Sequence, residues 1–469
     1  MNQPVSSPPV ANTEQPVSLY EKHKKIYVRS VQGKWATWRW ILVWGTQLLF
    51  YSLPWLTWGD RQAVLFHLVQ RKFYIFGLVL WPQDIFYLTI LLILSAYSLF
   101  LFTAVAGRLF CGYACPQTVY TEIFQWIEAR IEGERPARMK LDKQPMNARK
   151  LGLKSAKHLI WLLFSLWTGF TLVCYFTPVR EMMANLPTFS FGGWEIFWLF
   201  FYGGFTYLMA GFMREQVCKY MCPYARFQSV MFDPDTLIIS YDQKRGEPRG
   251  IRKKGKDASA LGDCVDCDIC VQACPTGIDI RRGLQYECIG CGACIDGCDE
   301  VMDKLGKPRG LVCYTSENAL AGKYGRTGLM SHILRPRVVI YSVILLAIAT
   351  AAGWSLATRV PLRADLLRDR ATLAREAEDG RIENVYTLKV MNVSEKERVF
   401  RVSVSGLEGI ALISDLLLNV GAAENKDVSV SVRVPYGIAP KGAHKIWFDV
   451  VATDDPTVAV HEKTTFMMP

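Results

Sequence analysis

Histidine is scarce in this sequence, which has six in 469 residues. None lies deep within a long apolar segment, so no two are placed to hold a b-type haem between membrane helices. The Cys-x-x-Cys-His motif of covalently bound haem is missing, and no Gly-x-Gly-x-x-Gly follows a predicted strand. The sequence therefore predicts neither a haem nor a nucleotide cofactor.

Charge is also sparse: charged residues make up 21% of the chain and hydrophobic residues 51%. A disordered chain would show the opposite balance. Five apolar segments have about the 20 residues that cross a bilayer as a helix, and a soluble core of this size would not bury all five. The sequence predicts a membrane protein with a five-helix transmembrane α bundle in the lipid bilayer, spanning residues 40–58, 84–106, 158–177, 194–212 and 338–358.

Lysine and arginine are unevenly distributed between these spans. The N-terminal 39 residues and the second and fourth loops contain six, ten and nineteen of them, whereas the first and third loops contain three and one. Because positively charged loops stay in the cytoplasm, we expect the N-terminus inside and the C-terminal region outside. Residues 360–469 carry 14 basic and 16 acidic side chains. The net charge of +11 thus reflects topology, and no nucleic-acid partner is expected.

Eight of the fourteen cysteines form two runs of C-x2-C-x2-C-x3-C between the fourth and fifth spans. This is the spacing of bacterial ferredoxins with two [4Fe–4S] clusters, in which the fourth cysteine of each run binds the other cluster. Zinc sites use paired rather than triple cysteines, and disulfides are disfavoured in the cytoplasm. The predicted ligands are Cys264, Cys267, Cys270 and Cys298 for the first cluster, and Cys288, Cys291, Cys294 and Cys274 for the second. Asp299 stands where a proline is expected.

Two shorter motifs, Cys-x3-Cys-Pro, follow the second and fourth spans and form a weak internal repeat. They contain Cys111 and Cys115, and Cys218 and Cys222. The proline predicts a helix end at the second cysteine of each pair. Brought together, the pairs would offer four thiolates suited to Cu(I), zinc or iron–sulfur. A copper relay, a further cluster and a disulfide remain open at this point.

The C-terminal region alternates polar and apolar residues in several short segments separated by turns. This period of two predicts a β-sandwich of immunoglobulin type, preceded at 363–379 by a charged helix or an extended lead-in. The basic run 244–256 is read as a linker or a contact to lipid headgroups. The predicted organisation has five parts: 1–37, a cytoplasmic segment; 38–230, four spans with both motifs; 231–335, an inserted ferredoxin-like α+β domain; 336–358, the fifth span; and 359–469, an outer β domain.

The ordered combination of these features resembles the CcoG/FixG/RdxA family of accessory proteins for cbb3-type cytochrome oxidases. Matching residues include Arg39-Trp40 before the first span and Trp81-Pro82-Gln83-Asp84 entering the second. The resemblance implies a protein of the bacterial inner membrane with a cytoplasmic ferredoxin domain and a periplasmic C-terminal domain. It also implies reduction of Cu(II) to Cu(I), with the four Cys-x3-Cys-Pro thiols receiving electrons or binding copper.

The implied partners are the oxidase, or its copper chaperones and transporter, and an electron donor that the sequence does not identify. Two other functions stay open. The same motifs resemble quinol-oxidising membrane subunits of the NapH type, and a third possibility is a non-enzymatic scaffold for oxidase assembly.

Overall fold

The structure is a computed structural model that describes residues 25–251, 261–323, 334–369, 374–377, 379–414 and 416–469. The membrane part opens with nine helices, and two π-helical turns, Met209–Met213 and Val217–Met221, lie between the last two. The helices are α1 (Lys34–Ser52), α2 (Ile85–Ala106), α3 (Leu109–Tyr113), α4 (Pro116–Glu132), α5 (Arg135–Lys143), α6 (Ala148–Val173), α7 (Val179–Asn185), α8 (Gly193–Leu208) and α9 (Pro223–Met231).

The ferredoxin-like unit is an α+β insertion built on a two-stranded antiparallel sheet. Its apolar core includes Ile239, Met302 and Leu311, and five of the patterned cysteines pack against it. The 3₁₀ turn Ile280–Arg282 lies between the two cysteine runs. The elements of this unit are β6 (Ile238–Tyr241), α10 (Gln243–Gly246), α11 (Ile269–Gln272), α12 (Ala293–Lys304), β7 (Val312–Thr315) and α13 (Glu317–Leu320).

Four helical segments of the described chain are long and apolar enough to cross a membrane. They are Pro82–Ala106, Ala148–Val173, Gly193–Met213 and Pro336–Ala357, the last of which is α14. Helix α1 has 19 residues, but Lys34, Arg39 and Gln47 make it less apolar. It ends at Ser52, before Pro54, instead of continuing to residue 58. The five-span count therefore remains a prediction.

Helix α1 nevertheless extends between the two ends of the bundle. Its first turn contacts the ferredoxin-like unit through Asp296. Its last turn lies beside Tyr175, which follows α6 and donates a hydrogen bond to the carbonyl of Phe50 at 2.8 Å. The indole of Trp58, beyond α1, bonds to Glu395 of the C-terminal domain. The first loop and the C-terminal domain thus contact each other, as expected if both lie on one side of the membrane.

The first loop forms small sheets that the sequence analysis does not predict. Strands β1 (Thr57–Trp58) and β2 (Arg61–Gln62) pair with each other. A second sheet contains β3 (Val64–His67), β4 (Lys72–Ile75) and β5 (Leu78–Leu80). Leu65 and Tyr74 of this sheet pack with Met391 and Val393 of the C-terminal domain, so the loop supports that domain.

The C-terminal domain is a β-sandwich of two antiparallel sheets, with strand orders β12-β14-β10-β8 and β13-β11-β15-β16; β9 pairs with β10 at the edge. Phe400, Phe448 and Phe466 are fully buried between the sheets. The strands are β8 (Leu362–Arg368), β9 (Arg375–Glu376), β10 (Arg381–Asn392), β11 (Arg398–Ser405), β12 (Ala411–Leu412), β13 (Leu416–Val420), β14 (Asn425–Pro435), β15 (Gly442–Ala452) and β16 (Ala459–Met468).

Over 363–379, the described residues favour the extended lead-in and contradict the charged helix. Strand β8 pairs with β10, and Leu362 and Ala364 alternate into the core. Burying these apolar side chains against a sheet outweighs the helical propensity of a short charged segment. Residues 370–373 and 378 lie outside the described part of the chain.

Candidate metal and thiol centre

Two small cavities in the ferredoxin-like unit separate its eight cysteines into two groups. One is lined by Cys264, Cys267, Cys270 and Cys298, together with apolar residues such as Val301 and Leu311. The other is lined by Cys274, Cys288, Cys291 and Cys294; Cys270 also reaches it, from the wall between the two. The fourth cysteine of each run therefore faces the other run, as the two-cluster spacing predicts. Four thiols around an almost wholly apolar cavity are a donor set that fits a [4Fe–4S] cluster.

Burial raises the pKa of several of the thiols that line these cavities. Burial raises the pKa of Cys298 to about 12, and nearby Cys270 adds to the effect. Burial also raises the pKa of Cys288 to about 12. Iron binds thiolate, so cluster insertion must displace these protons, and metal binding is coupled to the folding of this unit.

The second cavity lies against the membrane bundle. The hydroxyl of Tyr113, in α3, donates to the carbonyl of Cys291 at 3.2 Å. At Gly112 a Cβ atom would stand 2.8 Å from the carbonyl oxygen of Ile289 and 2.9 Å from the Cα of Cys291. Only glycine allows the first Cys-x3-Cys-Pro motif to approach the second cysteine run this closely.

Each Cys-x3-Cys-Pro motif is divided between two helical segments. Cys111 lies within α3 and Cys218 within the second π-helical turn. Cys115 and Cys222 are the N-cap residues of α4 and α9, with extended backbone and proline at the first helical position. The predicted helix end at the second cysteine is confirmed. At Cys115, burial raises the pKa of the thiol more than the backbone N–H groups of Thr118 and Gln117 lower it.

The bundle brings the four motif cysteines together beside the second cavity. Cys111 interacts electrostatically with Cys115, Cys218 and Cys222. Cys111 and Cys218 pack with Cys291 around Ile289 and Ala293. Burial, followed by the neighbouring Cys115, raises the pKa of Cys111 to about 12 and that of Cys218 to about 11. The thiols of Cys111 and Cys218 are therefore neutral until a metal or an oxidant removes the proton.

The four motif thiols do not form a preorganised single-ion site. Within the described ranges, no three His, Cys, Asp or Glu side chains converge closely enough to hold one metal ion. All fourteen cysteines are free thiols in the structure. The Sγ of Cys111 donates a hydrogen bond to the side-chain oxygen of Gln228 at 3.2 Å.

A buried charge network positions the second motif, and the sequence analysis did not identify it. Glu128 of α4 has no exposed side-chain surface and pairs with Arg214 at 3.0 Å. Lys25, Arg138 and Lys157 also lie within 3.4–3.7 Å of its carboxylate. Burial alone would raise the pKa of Glu128, but these four cations hold it at about 2. The glutamate is therefore ionised and holds Arg214 four residues before Cys218.

The backbone of Arg214 turns sharply, with a left-handed φ of 42°. Its guanidinium bonds the carbonyl of Gly211 at 2.9 Å. The side-chain amide of Gln117, two residues after Cys115, donates to the carbonyls of Met209 and Arg214 at 3.0 and 3.1 Å. The first motif thus directly supports the turn that leads into the second.

Asp299 has a local role that explains why proline is not required there. It lies within α12, which continues to Lys304, and a proline at this position would interrupt the helix. Its carboxylate accepts the backbone N–H of Gly310 at 2.9 Å, which fixes the loop before β7.

Comparison with known protein families agrees with this geometry. Residues 213–317 match the 4Fe-4S dicluster domain, and residues 88–133 match a 4Fe-4S binding domain. Residues 352–469 match the Ig-like fold at the C-terminus of FixG, a putative oxidoreductase. The iron–sulfur matches include both Cys-x3-Cys-Pro motifs.

Relatives extend the match over most of the chain. Nitrogen fixation protein FixG of Rhizobium meliloti is 36% identical over 83% of this chain and 80% of its own length. Protein RdxA of Cereibacter sphaeroides is 36% identical over 91% of each chain. The chain belongs to the FixG/RdxA family. This FixG/RdxA protein is therefore a membrane iron–sulfur electron-transfer protein with an Ig-like C-terminal domain.

A shorter similarity links this FixG/RdxA protein to another class. Ferredoxin-type protein NapH of Haemophilus influenzae is 26% identical over 46% of this chain and 68% of its own length. That extent is too short to include every part of the FixG/RdxA architecture.

Proposed function

We propose that this protein reduces Cu(II) to Cu(I) for the assembly of a cbb3-type oxidase. The observation that carries the proposal is the packing of Cys111 and Cys218 against Cys291. It makes the ferredoxin-like unit and the membrane-edge thiols one continuous redox region. Copper is the substrate here, so the proposal needs no resident copper ion.

In this proposal, the two cavities hold two [4Fe–4S] clusters with the ligand sets given above. Such clusters supply one-electron transfer. Cys267 is exposed, whereas Cys291 is buried against the bundle. The set containing Cys291 therefore faces the motif thiols, and the set containing Cys267 faces solvent.

The motif thiols are better ligands for the product, Cu(I), than for the substrate, Cu(II). Thiolates are soft ligands that favour Cu(I) over Cu(II). The reaction at this site is Cu(II) plus one electron giving Cu(I). It needs soft ligands and a nearby carrier, and no acid–base catalyst.

The topology proposed from the charge pattern places the parts of the protein in different compartments. The N-terminus and the ferredoxin-like unit lie in the bacterial cytoplasm, α1 is a fifth span, and the β-sandwich lies in the periplasm. There the sandwich docks on the oxidase or on copper chaperones and transporters. The sandwich contributes no cysteine to the redox region, which suits a docking module.

Anaerobic redox titration of the purified full chain tests this proposal. After reduction by dithionite and its removal, Cu(II) should reoxidise the iron–sulfur absorbance and yield Cu(I), measured with a Cu(I)-specific chelator. Cys218→Ser and Cys222→Ser should abolish Cu(I) formation and keep the absorbance. Cys174→Ser, buried away from this region among Phe170 and Met182, is the matched control.

Three other outcomes of these experiments would contradict the copper proposal or the role of the motif thiols. Reoxidation by quinone analogues but not by Cu(II) would support the NapH-type function. Reoxidation by neither would support the assembly scaffold. An unchanged copper rate in Cys218→Ser and Cys222→Ser would remove the motif thiols from the reaction.

A further inference from the structure

A cavity of about 290 Å³ lies among the helices of the membrane bundle. It is enclosed by α1, α6, α8 and the first turns of α4. Most of its lining is apolar or aromatic and includes Phe50, Tyr120, Leu172 and Tyr202. Its volume and character are those of a pocket for a small organic ligand.

One polar atom in this cavity accepts no hydrogen bond from the described residues. Gln47 of α1 is 6% exposed and lines the cavity; its side-chain amide interacts with the Tyr120 hydroxyl, but its Oε1 has no donor. A buried amide oxygen without a donor costs free energy. A ligand hydroxyl donated to this oxygen would remove that cost, so the cavity is preorganised for a molecule that carries a hydrogen-bond donor.

Other polar groups converge near the same position. The hydroxyls of Tyr51 and Thr168 share a hydrogen bond of 2.8 Å, and the Tyr120 hydroxyl faces both of them and Gln47. The cavity thus combines apolar walls with a cluster of groups that can donate to or accept from a ring oxygen. That pattern recognises an aromatic ring with hydroxyl substituents.

The cavity adjoins the redox region. Its wall includes Ala114 and Pro116, the two residues on either side of Cys115. Cys115 interacts electrostatically with Cys222 and with Cys111, which packs against the apolar cluster containing Cys291. A ring in this cavity would therefore lie beside Cys115.

We propose that this cavity binds a lipid-soluble quinol, which supplies the electrons. Oxidation of the quinol breaks two O–H bonds and releases two electrons and two protons. One quinol and two Cu(II) give one quinone, two Cu(I) and two protons that pass to water. Cu(II) as the electron acceptor rests on the proposed copper function, whereas the binding of the quinol does not.

Binding of a short-chain ubiquinone analogue to the full chain in detergent tests the site directly. Gln47→Met keeps the side-chain length and removes the hydrogen-bonding amide, and we expect about tenfold weaker binding. Because the variant also removes an unsatisfied buried oxygen, it should fold at least as stably. Leu172→Trp, which fills the cavity, should abolish binding. Ser165→Ala, a buried change in α6 outside the cavity, should leave the affinity unchanged.

A second readout separates this inference from the copper proposal. The quinol form should bleach the iron–sulfur absorbance of the protein without copper present, and Gln47→Met should slow that bleaching. Equal affinity in the protein and in Gln47→Met overturns the quinol site, as does no binding or a firmly retained phospholipid chain in the cavity. Failure of dithionite-reduced protein to reduce Cu(II) would overturn only the copper function.

Discussion

The carboxylate of Asp296 accepts the backbone N–H of Ala36 at 2.7 Å. It also accepts the N–H of Trp35 at 3.2 Å. A residue of the ferredoxin-like unit therefore caps the N-terminus of α1, the first helix of the bundle. Asp296 is buried and lies two residues from both Cys294 and Cys298, so one side chain joins the cluster region to the membrane part.

Replacing Asp296 should weaken the contact between the ferredoxin-like unit and the membrane bundle. Asp296→Ala leaves two helix N–H groups without an acceptor, which costs about 0.5–2 kcal/mol for a lost N-cap. We expect a lower thermal midpoint and faster loss of the iron–sulfur absorbance in air. Asp303→Ala, in the same helix but paired with Arg309 at the surface, is the control. Equal bleaching rates in the two variants would show that the cap does not protect the clusters.

Gly112 should be essential for contact between the first motif and the second cluster region. In Gly112→Ala the new methyl group meets the backbone of Ile289 and Cys291 at less than 3 Å, so the two segments must separate. We expect slower electron transfer to added Cu(II) with the same iron content. Gly152→Ala adds a methyl in α6, where nothing lies within 4 Å, and should leave the rate unchanged. Wild-type rates in Gly112→Ala would contradict the proposed route.

Neutralising Glu128 should destabilise the bundle more than any surface carboxylate would. Glu128→Gln leaves Arg214, Arg138 and Lys157 buried with less compensating charge, and breaking such a network costs about 3–5 kcal/mol. Denaturant unfolding in mild detergent measures this loss. Glu300→Gln removes an exposed pair with Lys304 and should cost well under 1 kcal/mol. Similar losses in both variants would mean that the buried network is not a net source of stability.

The crossed cysteine assignment predicts which substitutions act on the same cluster. Cys274→Ser should change the same electron paramagnetic resonance signal of the reduced protein as Cys288→Ser. Cys298→Ser should instead change the signal altered by Cys264→Ser. The reason is that the cavities place Cys274 with the second run and Cys298 with the first. If Cys274→Ser altered the same signal as Cys264→Ser, the ligand sets would follow the sequence runs without crossing.

The grouping of the cysteines around the two cavities could be predicted because the information is local. A C-x2-C-x2-C triplet brings three thiols around one centre within seven residues, and the fourth position is defined by a short turn. The strands β10, β11, β14 and β15 were likewise visible from alternation within single segments. The breaks between helices at Cys115 and Cys222 followed from one proline each.

The supporting residues were not predictable, because their partners are distant in sequence. Glu128 continues the buried stripe of Phe124 on α4, but its cations come from residues 25, 138, 157 and 214. Gly112 could have been noticed, since the repeat has Lys219 at the equivalent position and only one of the two sites needs a glycine. The strands of the first loop are two to four residues long and depend on packing against a domain that begins more than 270 residues later.

Two ion pairs of Asp84 tie the membrane bundle to the sandwich. Asp84 immediately precedes α2 and binds Arg359, which follows α14, and Arg363 of β8. Together with the packing of the first-loop sheet against the sandwich, these ion pairs restrict rotation of the sandwich relative to the bundle. A partner in the same membrane would therefore meet the sandwich at one height and orientation, and would find it by lateral diffusion in two dimensions.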